Sequence, residues 1–234
     1  MRASFLLTLL GSAALAQEPL TTDRPTLAES SLAVPRGVYQ LEQGVQDEPQ
    51  SHDEGWSLPT LHRLGLGDGV ELRFLSPVLA FENHGLVRPA FTAGLKWNVL
   101  PGGESGGRPS VAVIADAVFA KGATIPEVKL ALDQELPASL HLNANAGITE
   151  YQEHARGLTA VSLGMAFLDQ RLSFSVEGSV ELERGLGAPG YGIDEGVTFR
   201  VTDDVQVDAL LYEGLSAASR PSFATLGVSV RFGG

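Results

Sequence analysis

The chain contains no cysteine among its 234 residues. This absence excludes a disulfide scaffold, a thiolate metal site, a cysteine nucleophile and a lipid anchor on an N-terminal cysteine. Beyond the first 16 residues, no stretch reaches the roughly 18 uncharged apolar residues that indicate a membrane-spanning helix. Charged residues make up 19% of the chain, below the roughly 25% of an average soluble domain.

Basic side chains are also scarce, with 16 Lys and Arg against 28 Asp and Glu and a net charge of −12. Since nucleic-acid binding depends on neutralising phosphates with Lys and Arg, we expect no nucleic-acid partner. Residues 1–16 predict a cleaved signal peptide, with Arg2 first, an apolar run from Phe5 to Leu10, and a small-x-small end at Ala14-Leu15-Ala16. A buried N-terminal helix is the alternative.

The strongest pattern in the chain is a predicted hairpin at residues 158–183. From Leu172 to Leu182 one face carries Leu, Phe, Val and Gly, whereas the other carries only Ser and Glu. Side chains alternate between the two faces of a strand, so this is a ribbon with one apolar and one polar face. About 11 residues is also the length with which a tilted strand crosses a bilayer core.

Similar segments recur along the chain and predict twelve strands, with no helical period. They lie at 37–46, 55–64, 69–77, 86–98, 110–120, 127–135, 139–149, 157–167, 171–183, 191–201, 204–213 and 222–232. The connections are mostly short at one end and longer at the other, for example 46–54, 149–157 and 183–190. This arrangement predicts an all-β fold, an antiparallel up-and-down transmembrane β-barrel over residues 37–234.

The orientation of the two faces has two solutions. In a soluble lipocalin-like barrel the apolar face points inward, whereas in a membrane barrel it meets lipid. Twelve strands enclose more space than Val, Leu and Ala side chains fill, which favours the membrane barrel. Aromatic residues also fall near the two strand ends, as interfacial girdles require: Tyr39, Trp97, Phe167, Phe174, Phe199 and Phe232 at the short-turn end, and Trp56, Phe119 and Tyr191 at the other.

Residues 20–44 carry a family resemblance. They include Thr22-Asp23-Arg24-Pro25, then Val34-Pro35-x-Gly37, then Gln40-Leu41-Glu42-x-Gly44. With the hairpin at 61–73, this segment resembles the MetA-pathway phenol-degradation family of outer-membrane β-barrel transporters. The resemblance implies a porin-like barrel in the outer membrane of a Gram-negative-type bacterium, surrounded by lipid and inserted by the barrel-assembly machinery. It also implies transport of a small solute.

The polar face predicts the residues that line the interior. An Arg or Lys facing lipid at mid-depth would cost roughly 2–4 kcal/mol, so these side chains are expected in a wet lumen. One hypothesis makes them a pore lining that sets the field for solutes; the other makes them a mutually neutralising network that fills the barrel. The residues are Glu42, Arg63, Glu71, Arg73, Arg88, Lys96, Asp116, Lys129, Asp133, His141, Glu177, Glu181, Arg200, Asp208 and Arg231.

Residues 17–36 contain three prolines and no strand alternation, which indicates an extended N-terminal leader. One hypothesis folds it into the lumen as a plug, with Asp23 or Arg24 pairing with charges of the wall. The alternative is a disordered periplasmic tail.

The residues do not support catalysis. Of the five histidines, His52, His84 and His154 fall in predicted loops. No nucleophile elbow appears, since the one Gly-x-Ser-x-Gly match, at 103–107, lies in a Gly-rich link with no predicted helix after it. We therefore predict no enzyme activity, no metal and no cofactor. The predicted function is passive passage of a small solute, with hydrophobic or aromatic compounds as one class. A non-conducting structural or adhesion barrel is the second hypothesis, and an outer-membrane lipid hydrolase using His141 is the third.

Overall fold

The structure is a computed structural model that describes residues 20–47, 55–82, 85–86, 90–103, 107–120, 122–151, 154–183 and 188–233. The predicted signal peptide at 1–16 lies outside these ranges. Within them, no helix is long and apolar enough to cross a membrane.

The described chain is built from strands. They are β1 (Tyr39–Asp47), β2 (Trp56–Gly67), β3 (Val70–Glu82), β4 (Gly85–Leu86), β5 (Phe91–Leu100), β6 (Ser110–Ala120), β7 (Ala123–Leu136), β8 (Leu140–Tyr151), β9 (His154–Phe167), β10 (Leu172–Glu183), β11 (Gly190–Thr202), β12 (Val205–Gly214) and β13 (Phe223–Phe232).

Each long strand pairs antiparallel with its neighbours in the chain, and β1 pairs with both β2 and β13. The register Tyr39↔Phe232 to Gln46↔Thr225 closes the sheet. The two-residue strand β4 adds only to the end of β3. The described strands therefore form a closed twelve-stranded barrel, and the predicted fold is confirmed.

The links between strands differ less in length between the two ends of the barrel than the sequence predicts. At one end, short links at 68–69, 137–139, 168–171 and 203–204 join the strands, together with a longer link at 101–109. At the other end, only two residues separate β6 from β7 and β8 from β9. The prediction of a long loop at 149–157 is wrong, because polar residues at its two ends continue the paired strands β8 and β9. Where water surrounds both faces of a strand, polar side chains do not end it.

The two faces of the wall divide by polarity. On β10, Val176 is 51% exposed on the outer face while its neighbour Glu177 is 0% exposed inside. Leu211 and Leu226 are exposed outside on β12 and β13. The apolar side chains therefore form an outer belt, the arrangement that a lipid environment favours.

Rings on the outer face form a continuous row across six strands. Phe232, Tyr39, His62, Phe74, Phe91 and Phe119 follow one another with ring centroids 4.7–6.1 Å apart. His62 faces outward by the ordinary alternation of β2, between the inward-facing Leu61 and Arg63. The faces of β2 are unclear in the sequence because an apolar residue, Leu61, faces inward and a polar ring, His62, faces outward.

Candidate functional site: the barrel lumen

The N-terminal segment, residues 20–36, lies inside the barrel. A turn at Gly37, whose φ is +76°, sends the chain back from the start of β1. The Gly37 amide donates to the Gly65 carbonyl at 2.9 Å, and the Val38 amide donates to the Pro35 carbonyl at 3.1 Å. Glycine suits this position because other residues rarely adopt a positive φ. Leu20, Ala28 and the polar Ser31 are buried against the wall.

Asp23 is at the centre of the best-connected ionic cluster. Its carboxylate accepts from Lys96 Nζ at 2.7 Å and from Arg73 Nη1 at 2.8 Å. Arg63 Nε lies 3.6 Å from the same carboxylate. The backbone amide of Asp23 donates to Glu42 Oε2 at 3.0 Å. Three strands, β2, β3 and β5, thus supply cations to one residue of the N-terminal segment.

The cations around Asp23 are themselves paired with acids of the wall. Arg63 Nη1 donates to Glu42 Oε1 at 2.9 Å and Arg63 Nη2 donates to Glu71 Oε2 at 2.8 Å. Glu71 Oε2 also accepts from the amide of Val34 at 2.8 Å. These side chains are almost completely buried, and buried charges persist only when paired and hydrogen-bonded.

A second cluster surrounds Glu29. This carboxylate forms ion pairs with Arg73 and Lys129. Lys129 Nζ also lies 2.8 Å from Glu127 Oε1 and 3.8 Å from Asp116 Oδ2. Arg73 contacts both Asp23 and Glu29 and therefore joins the two clusters.

The acids of the N-terminal segment titrate below their ordinary range. Burial alone would raise the pKa of Asp23, but the charges of Arg63, Lys96 and Arg73 outweigh it and hold the pKa well below its usual value. Burial likewise opposes ionisation of Glu29, and the charges of Arg73 and Lys129 lower its pKa to about 2. Both carboxylates are therefore ionised at neutral pH.

On β7 and β10, acids hold backbone amides of the segment. Glu177 Oε1 and Oε2 accept from the amides of Leu27 at 3.0 Å and Ala28 at 2.9 Å. Asp133 accepts from the amide of Ser31. These carboxylates replace the backbone partners that an extended segment lacks.

Arg24 attaches the segment to a third part of the wall. Its Nη2 atom lies 3.1 Å from Asp208 Oδ1 and donates to Thr225 Oγ1 at 2.8 Å. The same guanidinium lies so near Gly44 and Gly227 that a Cβ atom at either glycine would be about 2.4 Å from it. Both glycines thus make room for Arg24.

Two cavities lie on either side of the N-terminal segment. The outer cavity, about 660 Å³, opens towards the end with links such as 121–122 and contacts Thr26, Leu27 and Glu29. The inner cavity, about 670 Å³, is bounded by the short-turn end and contacts Thr22, Pro25 and Ser30. Arg24 and Thr26 line both.

The predicted lining residues lie on the inner face wherever the structure describes them. Arg88 is outside the described residues. His141 Nε2 lies 2.9 Å from Asp133 Oδ1, and Arg231 Nε donates to Asp204 Oδ1 at 2.9 Å. The structure brings half of the described set together in the two joined clusters: Glu42, Arg63, Glu71, Arg73, Lys96, Asp116 and Lys129. The other half lie elsewhere on the inner wall: Asp133, His141, Glu177, Glu181, Arg200, Asp208 and Arg231.

The inner acids absent from the predicted set include Glu29 and Asp194. Glu29 was missed because the N-terminal segment has no alternation that assigns a face. Asp194, 1% exposed on β11, lies opposite Glu177 in the strand register. Its adjacent residue Glu195 faces outward, so the strand pattern around Gly192 and Gly196 could have identified Asp194 as the inner acid.

The histidines do not form a catalytic group in the described residues. His62 faces outward, and its Nδ1 atom lies 2.6 Å from the hydroxyl of Tyr39. The prediction that His154 lies in a loop is wrong, because β9 begins there. His52 and His84 lie outside the described residues. Across the described chain, no group of three or more His, Cys, Asp or Glu could hold a metal ion.

Comparison with known proteins identifies the family. The family described as "Putative MetA-pathway of phenol degradation" matches residues 22–232. The chain belongs to this family. The match extends over all twelve long strands of the barrel, and it confirms the resemblance carried by residues 20–44. No curated protein matches the chain.

Solved structures share the fold of this family member. The NanC porin superposes with a TM-score of 0.57 at 9% identity, covering 83% of this chain and 99% of the porin. An outer membrane channel from Pseudomonas putida F1 gives a TM-score of 0.57 at 13% identity, covering 86% and 98% of the two chains. The fold is thus that of outer-membrane porins and channels.

Proposed function

We propose that the protein is an outer-membrane channel through which small solutes cross passively. The observation that carries this proposal is the pair of cavities, about 660 and 670 Å³, which reach into the barrel from its two ends. Side chains do not fill a barrel of this strand number, and its inner face is polar and charged, as a water-filled path requires.

The N-terminal segment acts in this proposal as the plug of the channel. Residues 22–34 lie between the two cavities and bind the wall through Asp23, Arg24 and Glu29. Because the contacts reach β2, β3, β5, β7, β10 and β12, displacement of the segment would break several ion pairs at once. The charged lining then has two roles: it holds the plug, and it sets the field along the remaining path.

Planar-bilayer conductance of the purified protein tests this function. We expect small conductance steps from the full-length barrel and clearly larger steps after deletion of residues 20–33. A chain that conducts nothing in either form would contradict the channel and favour the structural barrel. Equal conductance of both forms would retain the channel and contradict the plug. Heat-modifiable migration on a gel verifies that the deletion variant still forms a barrel.

The solute class and the export route belong to the same proposal. The family description and the apolar side chains of the outer cavity support a hydrophobic or aromatic solute. We further propose that cleavage follows Ala16 and that the protein is not an enzyme. N-terminal sequencing of protein isolated from outer membranes should begin at Gln17; a start at Met1 would contradict cleavage. Lipid hydrolysis lost in a His141→Ala variant would contradict the non-enzymatic assignment.

A further inference from the structure

The charges that line the inner cavity differ in sign from the chain as a whole. The protein carries a net charge of −12. Among the described residues that line the inner cavity, the arginines Arg24, Arg63, Arg200 and Arg231 face only two acids, Asp133 and Glu135. A positive charge of this wall attracts anions and repels cations only where no neighbouring acid neutralises it, so the partners of each arginine decide the local field.

Three of these arginines are already paired with wall acids. Arg24 pairs with Asp208 and Arg231 pairs with Asp204. Arg63 pairs with both Glu42 and Glu71. Their positive charges are neutralised locally, so they contribute little to the binding of a solute.

Arg200 is different. It lies on the inner face of β11, half-buried, and contacts the inner cavity. No acid of the described chain lies within ion-pair distance, and its Nε atom is buried without a hydrogen-bond partner. A guanidinium without hydrogen-bond partners beside a cavity costs free energy unless a ligand or water accepts its hydrogen bonds. Its strand neighbour Gln206 contacts Thr22 of the N-terminal segment, so the unpaired charge lies beside the plug.

The outer cavity has a different lining. Leu61, Leu75, Ile125 and Leu158 point inward from four strands, and Leu27 of the N-terminal segment joins them. Apolar side chains are unusual on the inner face of a barrel with a polar interior. Together they offer a surface to the apolar part of a solute before it passes the plug.

We propose that the channel selects small organic anions with an apolar body, and that Arg200 binds their anionic group on the inner side of the plug. This inference rests on the proposed channel function and names its substrate class. A carboxylate matches the fork geometry of a guanidinium, and the pair forms two parallel hydrogen bonds. The apolar body first occupies the Leu61–Leu75 side of the lumen, and the anionic group then reaches Arg200.

Calorimetric titration of the full chain in detergent micelles with benzoate tests the site, with benzylammonium as the cation of similar size. We expect benzoate to bind and benzylammonium not to bind. Arg200→Gln should weaken benzoate binding about tenfold or more, the effect of losing a charge-assisted hydrogen bond. Arg200→Lys keeps the charge without the fork and should lie between the two. The matched control is Arg171→Gln, an exposed arginine in the turn at the same end of the barrel.

The same proteins in planar bilayers separate this inference from the channel itself. Reversal potentials in a potassium benzoate gradient should indicate anion preference in the wild type and a reduced preference in Arg200→Gln. Conduction without that preference would retain the channel and overturn the inference, as would equal benzoate binding by wild type and Arg200→Gln. Benzoate binding that depends on Arg200 in a barrel that does not conduct would support the anion site and overturn the channel.

Discussion

Arg63 and Glu71 form a two-bond ion pair inside the barrel, with Nε 2.9 Å from Oε1 and Nη2 2.8 Å from Oε2. Both side chains are fully buried. Arg63 also holds Glu42 and contacts Asp23. A single guanidinium thus neutralises acids from β1 and β3 and from the N-terminal segment, and it links the wall to the plug.

Replacement of Arg63 by methionine should destabilise the barrel strongly. The variant leaves Glu42 and Glu71 buried with fewer cations, and breaking a buried pair from one side costs roughly 3–5 kcal/mol. Urea unfolding in detergent micelles measures the loss. Arg171→Met removes an exposed arginine and should change the free energy of unfolding by less than about 0.5 kcal/mol. A loss below about 1 kcal/mol for Arg63→Met would contradict the role assigned to this pair.

A methyl group at Gly65 should displace the N-terminal segment. A Cβ atom there would lie 1.9 Å from the carbonyl oxygen of Pro35, so residues 34–35 must move. The amide of Val34 would then lose Glu71. We expect Gly65→Ala to raise single-channel conductance while the barrel still folds. The control is Gly178→Ala on the outer face, where a Cβ atom meets nothing within 4 Å. Unchanged conductance in Gly65→Ala would contradict the plug.

Acid should release the segment, whereas neutral and mildly acidic solutions should not. The pKa of Asp23 lies well below its usual value and that of Glu29 is about 2. A lowered pKa contributes stability that is complete above the ordinary carboxyl range, near pH 4–4.5, and is lost as pH falls through the folded value. Conductance should therefore be constant from pH 7 to about 5 and rise between about pH 4 and 2.

A double variant, Asp23→Asn with Glu29→Gln, provides the control for this titration. It should conduct more at pH 7 and respond less to acid, because the titrating groups are gone. A wild-type transition centred near pH 6 would instead indicate a histidine, for which His141 beside Asp133 is the candidate.

The alternation of side chains was sufficient to predict the barrel. Strands such as β10 have one unbroken apolar face and one unbroken polar face. The strand count predicts a barrel too wide for apolar side chains to fill, so the apolar face must point outward. The two-residue period then assigns every residue of the strand to one face. The same period placed Glu71, Lys96 and Glu177 inside. It could not identify their partners, because a pairing such as Lys96 with Asp23 joins residues 73 positions apart and depends on how an irregular segment crosses the lumen.

The faces and ends of some segments could not be predicted, because their residues depart from regular alternation. On β2 the inward-facing Leu61 and the outward-facing His62 reverse the usual polarity of the two faces. Glu29 belongs to a segment without secondary structure, and its contacts with Arg73 and Lys129 follow from tertiary packing alone. The strand ends near Tyr151 and His154 were misplaced because polar residues continue a hairpin above the apolar belt as readily as they form a loop.

Glu195 lies on the outer face in the middle of β11, and its replacement by leucine should stabilise the barrel. It faces the same side as Tyr191 and Phe199, four residues away in either direction, and it is paired in register with the exposed Val176 and Leu211. A lipid-facing Arg or Lys at mid-depth costs roughly 2–4 kcal/mol and an acid costs less, so we expect a gain of about 1–2 kcal/mol.

Urea unfolding in phospholipid vesicles measures this gain, because the cost of Glu195 arises only where lipid surrounds the barrel. In detergent micelles, where water reaches the surface more readily, the gain should be smaller. Glu135→Leu is the matched control, since this exposed acid lies at the short-turn end of β7, on the inner face, where water is present in both media. If Glu195→Leu destabilised the protein in vesicles, the carboxylate would have a binding partner on the outer face, and that face would not be a simple lipid contact.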